Sequence, residues 1–316
     1  MRILLCGSGD FGVPTLSALL GSGHQVVGLL TQPPRPAGRG GKLRATPLAE
    51  AAGLAGVDVM AVEKVNAPES VAAIGELRPD VIVVVAFGQF VRAAVRGIPP
   101  LGAFNLHGSL LPELRGAAPI PWAIIRGLRR TGVTTFSLVD KMDAGEMYVQ
   151  MDTEISPEET TVELKARMAN IGAAAVLATL EHLQKQGTAG RPQDESKVTF
   201  APILTKGDGV IDWAADATTI RNLIHGTWPW PAGQAVFHGQ KHSDVPLEIA
   251  RAAVEEGPAA GEPGTLDNDL CVATGAGRLR ILELKPAGKR LMAWRDFVNG
   301  YRVAAGDRFT APAKPQ

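Results

Sequence analysis

Residues 80–86 read DVIVVVA, a β-branched and almost uninterrupted apolar run preceded by Pro79. A strand covered on one face alternates apolar and polar residues. A run like this one needs cover on both faces, the condition of an inner strand in a parallel sheet with helices above and below. Strand-like runs also occur at 2–6 (RILLC), 25–30 (QVVGLL), 103–106 (AFNL) and 133–139 (VTTFSLV). Helical apolar spacing lies between them, notably at 13–20, 46–54 and 68–77. Alternation of the two patterns predicts an α/β domain with an open, mostly parallel Rossmann-like sheet and helices on both faces.

Residues 160–186 predict one long helix, capped by Thr160 or Thr161 and ended by Gly187. The following GTAGRPQDESKVTFAPIL is polar and carries glycine and proline, as an interdomain linker does. Beyond it the pattern changes to short strand-like pieces at 210–213, 234–238, 246–250, 263–265, 270–274 and 279–284, separated by Gly/Pro turns. The expected organisation is a domain at 1–188, a linker at 189–205, and a small β-barrel of OB-like type at 206–316.

Lysine plus arginine number 32, and aspartate plus glutamate number 32. Zero formal charge argues against a protein that coats nucleic acid generally, but not against a local basic path. Two such stretches exist: Arg35–Arg44 with four cations and no acid, and Arg278–Arg295 with six cations against Glu283. Taken alone, each reads better as a solvated surface loop. Cys6 and Cys271 sit in apolar runs without metal-ligand spacing, which suits buried reduced thiols and a cytoplasmic chain. No apolar run reaches membrane-spanning length, and no metal site is indicated.

Gly7-Ser8-Gly9-Asp10-Phe11-Gly12 fits the GxGxxG pattern of dinucleotide-binding turns, between a strand and a helix. The acidic residue expected at the end of the next strand is replaced by Thr31-Gln32-Pro33, and Asp10 would repel a pyrophosphate. A tight turn needing small residues for packing is the better reading. An NADP-linked oxidoreductase survives as a competitor because Arg35 is at hand for a 2′-phosphate.

The segment carrying chemistry is Asn105-Leu106-His107-Gly108-Ser109-Leu110-Leu111-Pro112. Asn105 and His107 are two apart at a strand end, so they share a face at the edge where α/β sheets bind ligands. Val139-Asp140-Lys141-Met142-Asp143-Ala144-Gly145 marks a second turn, from which Asp143 is within reach of His107. Acyl transfer to an amine calls for such groups: a donor to the developing oxyanion, a group that handles the amine proton, and a carboxylate that orients the histidine and favours its charged form. The bland alternatives are a structural loop histidine and an aspartate that caps a turn. His238 and His242, four apart in a Gly-interrupted stretch, read as surface residues, as does His182 on the long helix; His24 reads as a turn residue before a strand, and Trp213, Trp228 and Trp230 read as core.

NLHGSLLP resembles the signature of enzymes that use 10-formyltetrahydrofolate, and DKMDAGEM resembles their second signature. TQPPRPAGRGGKL, VVVAFGQFV, RGAAPIPWAI, GVIDW, WPWPAG and LKPAGKRLM then follow the landmarks of the methionyl-tRNA formyltransferase family along nearly the whole chain. Glycinamide ribonucleotide formyltransferases, related by chemistry, would be expected to end near the linker. Two departures stand out: GSGDFG where the family usually has GTPDF, and Thr227-Trp228 where an asparagine is common. The resemblance implies a catalytic trio of Asn105, His107 and Asp143. It further implies folate contacts at Ser109, Leu110, Leu111, Pro112, Phe87 and Gly88, and tRNA contacts at Arg39, Lys42, Lys206, Lys289 and Arg290. The cosubstrate it implies is 10-formyltetrahydrofolate, the partner is initiator methionyl-tRNA, and the chain is expected to be a monomer. A folate enzyme acting on another amine, such as a sugar nucleotide or purine precursor, is the alternative.

Overall fold

The computed structural model describes residues 1–37, 41–240, 242, 244–258 and 261–312. It divides into two compact units that are discontinuous in sequence: residues 1–119, 131–153 and 165–201 form the first, and 120–130, 154–164 and 202–316 the second.

The strands of the first unit, in chain order, are β1 (Arg2–Gly7), β2 (Gln25–Thr31), β3 (Arg35–Ala37), β4 (Lys42–Arg44), β5 (Val59–Ala61), β6 (Val81–Val85), β7 (Ala103–His107), β8 (Arg130–Ser137) and β9 (Met147–Glu154). Seven of them make one sheet in the order β5-β2-β1-β6-β7-β8-β9. Pairing is parallel from β5 through β7, and β8 joins antiparallel, with Asn105 opposite Phe136 and His107 opposite Thr134. The mostly parallel α/β reading therefore holds. All five residues of β6 are buried, as the DVIVVVA run requires. Helices α1 (Val13–Leu20), α2 (Pro47–Leu54), α3 (Pro68–Glu76) and α4 (Ala93–Arg96) connect the parallel strands. They are followed in the chain by α5 (Pro119–Ile125), which falls in the second unit from Ile120 on, and by the long α6 (Thr161–Gln186), which falls in the first from Lys165 on. On one face Leu4, Cys6, Leu30, Ile82 and Val84 pack with Ile74, Val91 and Val95.

The chain leaves β1 toward β2 on one side and β6 lies on the other. The order thus reverses between β1 and β6, the place where open α/β sheets present ligand sites at their C-terminal edge. At this switch the Ser8 and Gly9 amides donate to the carbonyl of Ala86, at 3.2 and 3.4 Å. A Cβ on Gly7 would lie 2.6 Å from both the Val85 carbonyl and Leu48 Cδ2. The GSG turn is therefore small for packing, and two amides that would cradle a pyrophosphate are already engaged. Asp10 pairs with Lys165.

Within the basic stretch 35–44, Arg35 lies opposite Arg44 and Ala37 opposite Lys42 in an antiparallel pair. β9 escapes the sequence reading, because MYVQMDTE places polar residues on a half-buried edge strand.

In the second unit, β10 (Gly233–His238), β11 (Val245–Glu255), β12 (Val272–Ala273), β13 (Arg278–Pro286), β14 (Met292–Ala293) and β15 (Arg308–Thr310) form a sheet in the order β12-β13-β11-β10-β15, with β14 on β13. Bridges from Thr265 to Arg308 and from Leu266 to Val272 link its two ends into an almost closed barrel. The runs at 210–213 and 263–265 are not strands; each contributes one isolated bridge, Val210 to Gln234 and Thr265 to Arg308. Two helices replace expected loop: α7 (Ala217–Thr227), capped by Asp216 through the Thr219 amide, and α8 (Trp294–Tyr301). The core gathers Ile220 and Ile224 of α7, Phe297 of α8, and Phe237, Ile249, Ile281 and Phe309 of the barrel. Cys6 and Cys271 are both buried free thiols, and burial raises each thiol pKa.

His225, on the buried face of α7, accepts a hydrogen bond at Nε2 from the Ala252 amide at 3.1 Å. Its pKa is pushed down to about 4, first by burial and then by Arg251 and Arg221, against the opposing charge of Glu163. The folded state thus holds His225 neutral while the unfolded chain titrates near 6.5. Between pH 6.5 and 4 the unfolded state binds more protons, so stability present above 6.5 is lost as pH falls through this window. The expected cost is on the order of 3 kcal/mol by pH 4. Urea melts across that range check it: His225→Gln, which cannot be protonated, should flatten that part of the profile.

Candidate active site

β7 ends at His107 and the chain turns through Gly108–Gly116. The turn is built on Thr134 of the neighbouring strand β8. The fully buried Thr134 hydroxyl donates to the Ser109 carbonyl at 2.7 Å and accepts from the Leu111 amide at 3.0 Å and Gln150 Nε2 at 3.1 Å. Gln150 also donates to the Leu111 carbonyl at 2.8 Å, and Ser109 Oγ donates to the Glu113 carbonyl at 2.6 Å. The Leu111–Pro112 peptide is cis. Near the end of the turn, Arg115 exchanges main-chain hydrogen bonds with Thr199 and Ala201, at 2.9 and 2.8 Å. Residues that read as linker are here part of the first unit.

His107 is 6% exposed, with the ring of Phe136 edge-on at 6.4 Å. Its Nε2 lies 2.9 Å from the carbonyl oxygen of Leu114. A carbonyl only accepts, so Nε2 carries a proton and the tautomer is set. Nδ1 is left to face Asp143, whose Oδ2 is 3.8 Å away. The same Oδ2 accepts from the Gly116 amide at 2.8 Å, which fixes the carboxylate. Two residues before His107 on β7, the half-buried Asn105 carboxamide has no hydrogen-bond partner among the described residues. The amide, the imidazole and the carboxylate expected from the sequence thus share one end of the sheet, with His107 and Asp143 facing each other.

Asp143 adopts φ 51°, the left-handed region that a side chain with a Cβ enters at a cost of about 1 kcal/mol. Its turn is held from outside. Gln193 Nε2 donates to the carbonyls of both Asp143 and Gly145 at 2.8 Å. Gln193 Oε1 accepts from Arg115 Nε at 3.1 Å and Nη2 at 2.8 Å. Arg115, 2% exposed, also pairs with Glu195 at 2.7 Å, and Lys141 reaches Glu195 at 2.6 Å. Hydrogen bonds from Arg115, then Lys141, hold the Glu195 carboxyl down to about 2. Sequence reasoning missed Arg115, Gln193, Thr134 and Gln150. Arg115 alone left a trace, as a single cation in the small-residue run RGAAP; QDESK reads as polar linker.

Of the positions expected to touch folate, Leu110 and Pro112 are partly exposed, whereas the side chains of Ser109, Leu111 and Phe87 are buried. Phe87 packs with Val84 and Val91, and its carbonyl accepts from Gln32 Nε2 at 2.9 Å. Gly88 has φ 78°, and a Cβ there would meet the Gln32 amide nitrogen at 2.3 Å. Lys42 is exposed on β4, while Arg39 lies outside the described residues. In the second unit, Lys206 is exposed in a short 3-10 turn, and Lys289 and Arg290 are exposed between β13 and β14. Lys285 is tied to Glu248 at 2.8 Å. His238 pairs with Asp244 at 3.1 Å and with Thr310 at 2.8 Å.

Among solved structures, similarity extends to HypX from Aquifex aeolicus in complex with tetrahydrofolic acid, with TM-score 0.64 and 16% identity, covering 95% of this chain and 47% of that one. The sugar 3N-formyl transferase WlaRD aligns with TM-score 0.64 and 12% identity over 92% of this chain and 99% of its own. At these identities the likeness concerns the fold. By sequence, the chain is 40% identical over 310 residues to the methionyl-tRNA formyltransferase of Solibacter usitatus, covering 98% of each chain. It is also 40% identical to that of Geotalea daltonii, covering 97% of each. Residues 1–180 match the formyl transferase family, and residues 203–302 match the formyl transferase C-terminal domain. With both domains matched and relatives alike from end to end, the chain belongs to the formyl transferase family, among the methionyl-tRNA formyltransferases.

Proposed function

We propose that this protein transfers the formyl group of 10-formyltetrahydrofolate to the α-amino group of methionine on initiator tRNA. The observation that carries the chemistry is the pairing of His107 Nδ1 with Asp143 Oδ2 at 3.8 Å beside an unpartnered Asn105 carboxamide. Two acceptors facing each other at this distance call for a donor between them, and the N–H of an attacking amine supplies it. As the amine nitrogen bonds to the formyl carbon, the carbonyl oxygen becomes negative. The Asn105 amide then donates to it, joined by His107 once Nδ1 is protonated. Asp143 and His107 hold the proton lost by the amine and return it when the C–N10 bond breaks, so the folate nitrogen leaves neutral. The cycle consumes no net acid or base.

The folate is held along the Phe87–Gly88 and Ser109–Pro112 turns. Because the Ser109, Leu111 and Phe87 side chains face inward, these positions contribute main chain and shape, and Leu110 and Pro112 contribute side chains. Arg39 and Lys42 are the cations of this basic stretch that meet the aminoacyl end of the tRNA, Lys42 from β4. Lys206, Lys289 and Arg290 offer phosphate contacts from the second unit, the tRNA-binding part, while the first unit, which takes in residues 165–201, is the catalytic part. Arg278, Arg280 and Lys285 are already paired with Asp267, Glu255 and Glu248, which leaves Lys289, Arg290 and Arg295 as the available charges of that stretch.

A charging gel tests the reading. Initiator tRNA carrying methionine, incubated with the protein and 10-formyltetrahydrofolate, should shift to the formylated species. A tetrahydrofolate analogue should raise the melting temperature, and NADP should not. No shift of the tRNA, with formylation of a nucleotide-linked amino sugar or glycinamide ribonucleotide instead, would move the protein to another branch of the family.

A further inference from the structure

We propose that Gln193 is a positioning residue for the catalytic carboxylate, acting through the main chain of the turn that carries it; this rests on Asp143 serving as the catalytic acid-base partner of His107. Asp143 sits in the left-handed region at φ 51°, and its side chain has one fixed hydrogen bond, from the Gly116 amide at 2.8 Å. Its aim toward His107 is therefore only as good as the turn beneath it. One side chain grips that turn at two points, because Gln193 Nε2 donates to the carbonyls of Asp143 and Gly145, each at 2.8 Å.

Gln193 is itself prevented from turning. Its Oε1 accepts two hydrogen bonds from the buried Arg115 guanidinium, at 3.1 and 2.8 Å, which settles which end of the carboxamide is oxygen and which is nitrogen. Arg115 is braced by Glu195 at 2.7 Å, and Glu195 by Lys141 at 2.6 Å, so the brace returns to the same turn two residues before Asp143. Arg115 also follows directly on Leu114, whose carbonyl sets the His107 tautomer. Arg115 and Gln193 therefore join the loop that orients the imidazole to the turn that orients the carboxylate. The 3.8 Å gap between His107 and Asp143 is set by this pair rather than by a direct bond.

Gln193→Glu is the discriminating variant, because it keeps an acceptor for Arg115 and removes both donors to the turn. Steady-state formylation should show kcat down by about 10- to 100-fold, the loss expected when a catalytic group is misplaced by roughly an ångström. KM for both substrates should stay within about twofold. In the Asp143→Asn background the same change should add little, since its effect is transmitted through the carboxylate. Gln193→Ala, read in the same way, decides the matter if the glutamate variant does not fold. A folded Gln193 variant with kcat within twofold of native, or one whose loss is undiminished in the Asp143→Asn background, overturns the proposal. Native activity in Asp143→Asn alone would instead remove the acid-base reading on which it rests.

Discussion

Asp143→Asn should lower kcat for formyl transfer roughly 10²- to 10⁴-fold, the range of a positioned acid-base group, in a protein that melts as the native one does. The carboxamide oxygen keeps the Gly116 amide bond now made by Oδ2 at 2.8 Å, and the Gln193 contacts go to main-chain carbonyls, so the turn stays in place. What is lost is the negative charge facing His107 Nδ1. His107→Ala should fall at least as far, because it removes both the proton carrier and one oxyanion donor. Steady-state rates at saturating substrate, paired with melting curves, check both. An Asp143→Asn protein with a tenth or more of native turnover would show that the carboxylate serves the loop and not the reaction.

Gly145→Ala should be the most damaging single methyl in the molecule's catalytic half. A Cβ at this position would lie 1.7 Å from the carbonyl oxygen of Ser137 and 2.8 Å from both its carbonyl carbon and Oγ. The obstacle is main chain at the end of β8, pinned by the Ser137 amide's bond to the Glu146 carbonyl at 2.9 Å, so it has little room to retreat. The turn has to move instead, and Asp143 moves with it. Overpacking typically costs about 1–3 kcal/mol, and an obstacle of main chain puts this site at the upper end. Turnover should fall by 10² or more beyond the loss of folded protein, by the same misplacement argument that applies to Gln193. Urea melts and active-site titration separate the two losses. A stable, fully active Gly145→Ala protein would mean that the turn is more pliable than its packing implies.

The parts of this architecture that were legible in the sequence are those where one local pattern decides. DVIVVVA could only be an inner strand, and β6 is buried along its full length. TTVELKARMANIGAAAVLATLEHLQKQ could only be a long helix, and α6 spans Thr161–Gln186. Asn105 and His107 were legible because a strand of period two puts them on one face. Asp143 was legible as a residue in reach of His107, but its backbone conformation was not: left-handed φ at an aspartate leaves no compositional mark.

The rest depended on partners distant in the chain. Gln193 lies 50 residues from the turn it grips, inside a polar stretch that reads as linker. Thr134 looks like any strand threonine until the loop after β7 is folded onto it. The helices α7 and α8 were missed because ATTIRNLIHGT and WRDFVNGY carry β-branched and aromatic residues that favour strands in isolation. Burial of Ile220, Ile224 and Phe297 in the barrel core overrides that preference. The glycine turn was legible too: the missing acidic partner favoured a packing turn over a cofactor turn, and the close approach of Gly7 to Val85 and Leu48 and the engagement of the Ser8 and Gly9 amides with Ala86 agree with it.

The most direct test is single-turnover formyl transfer in a preassembled complex of protein, 10-formyltetrahydrofolate and methionyl-tRNA, comparing native protein with His107→Ala. Binding and product release drop out of such a measurement, so it reads the chemical step alone. A single-turnover rate lower by about a hundredfold or more, with both substrates still bound, is the predicted result. An unchanged rate would contradict the assignment of the reaction to the Asn105, His107 and Asp143 cluster.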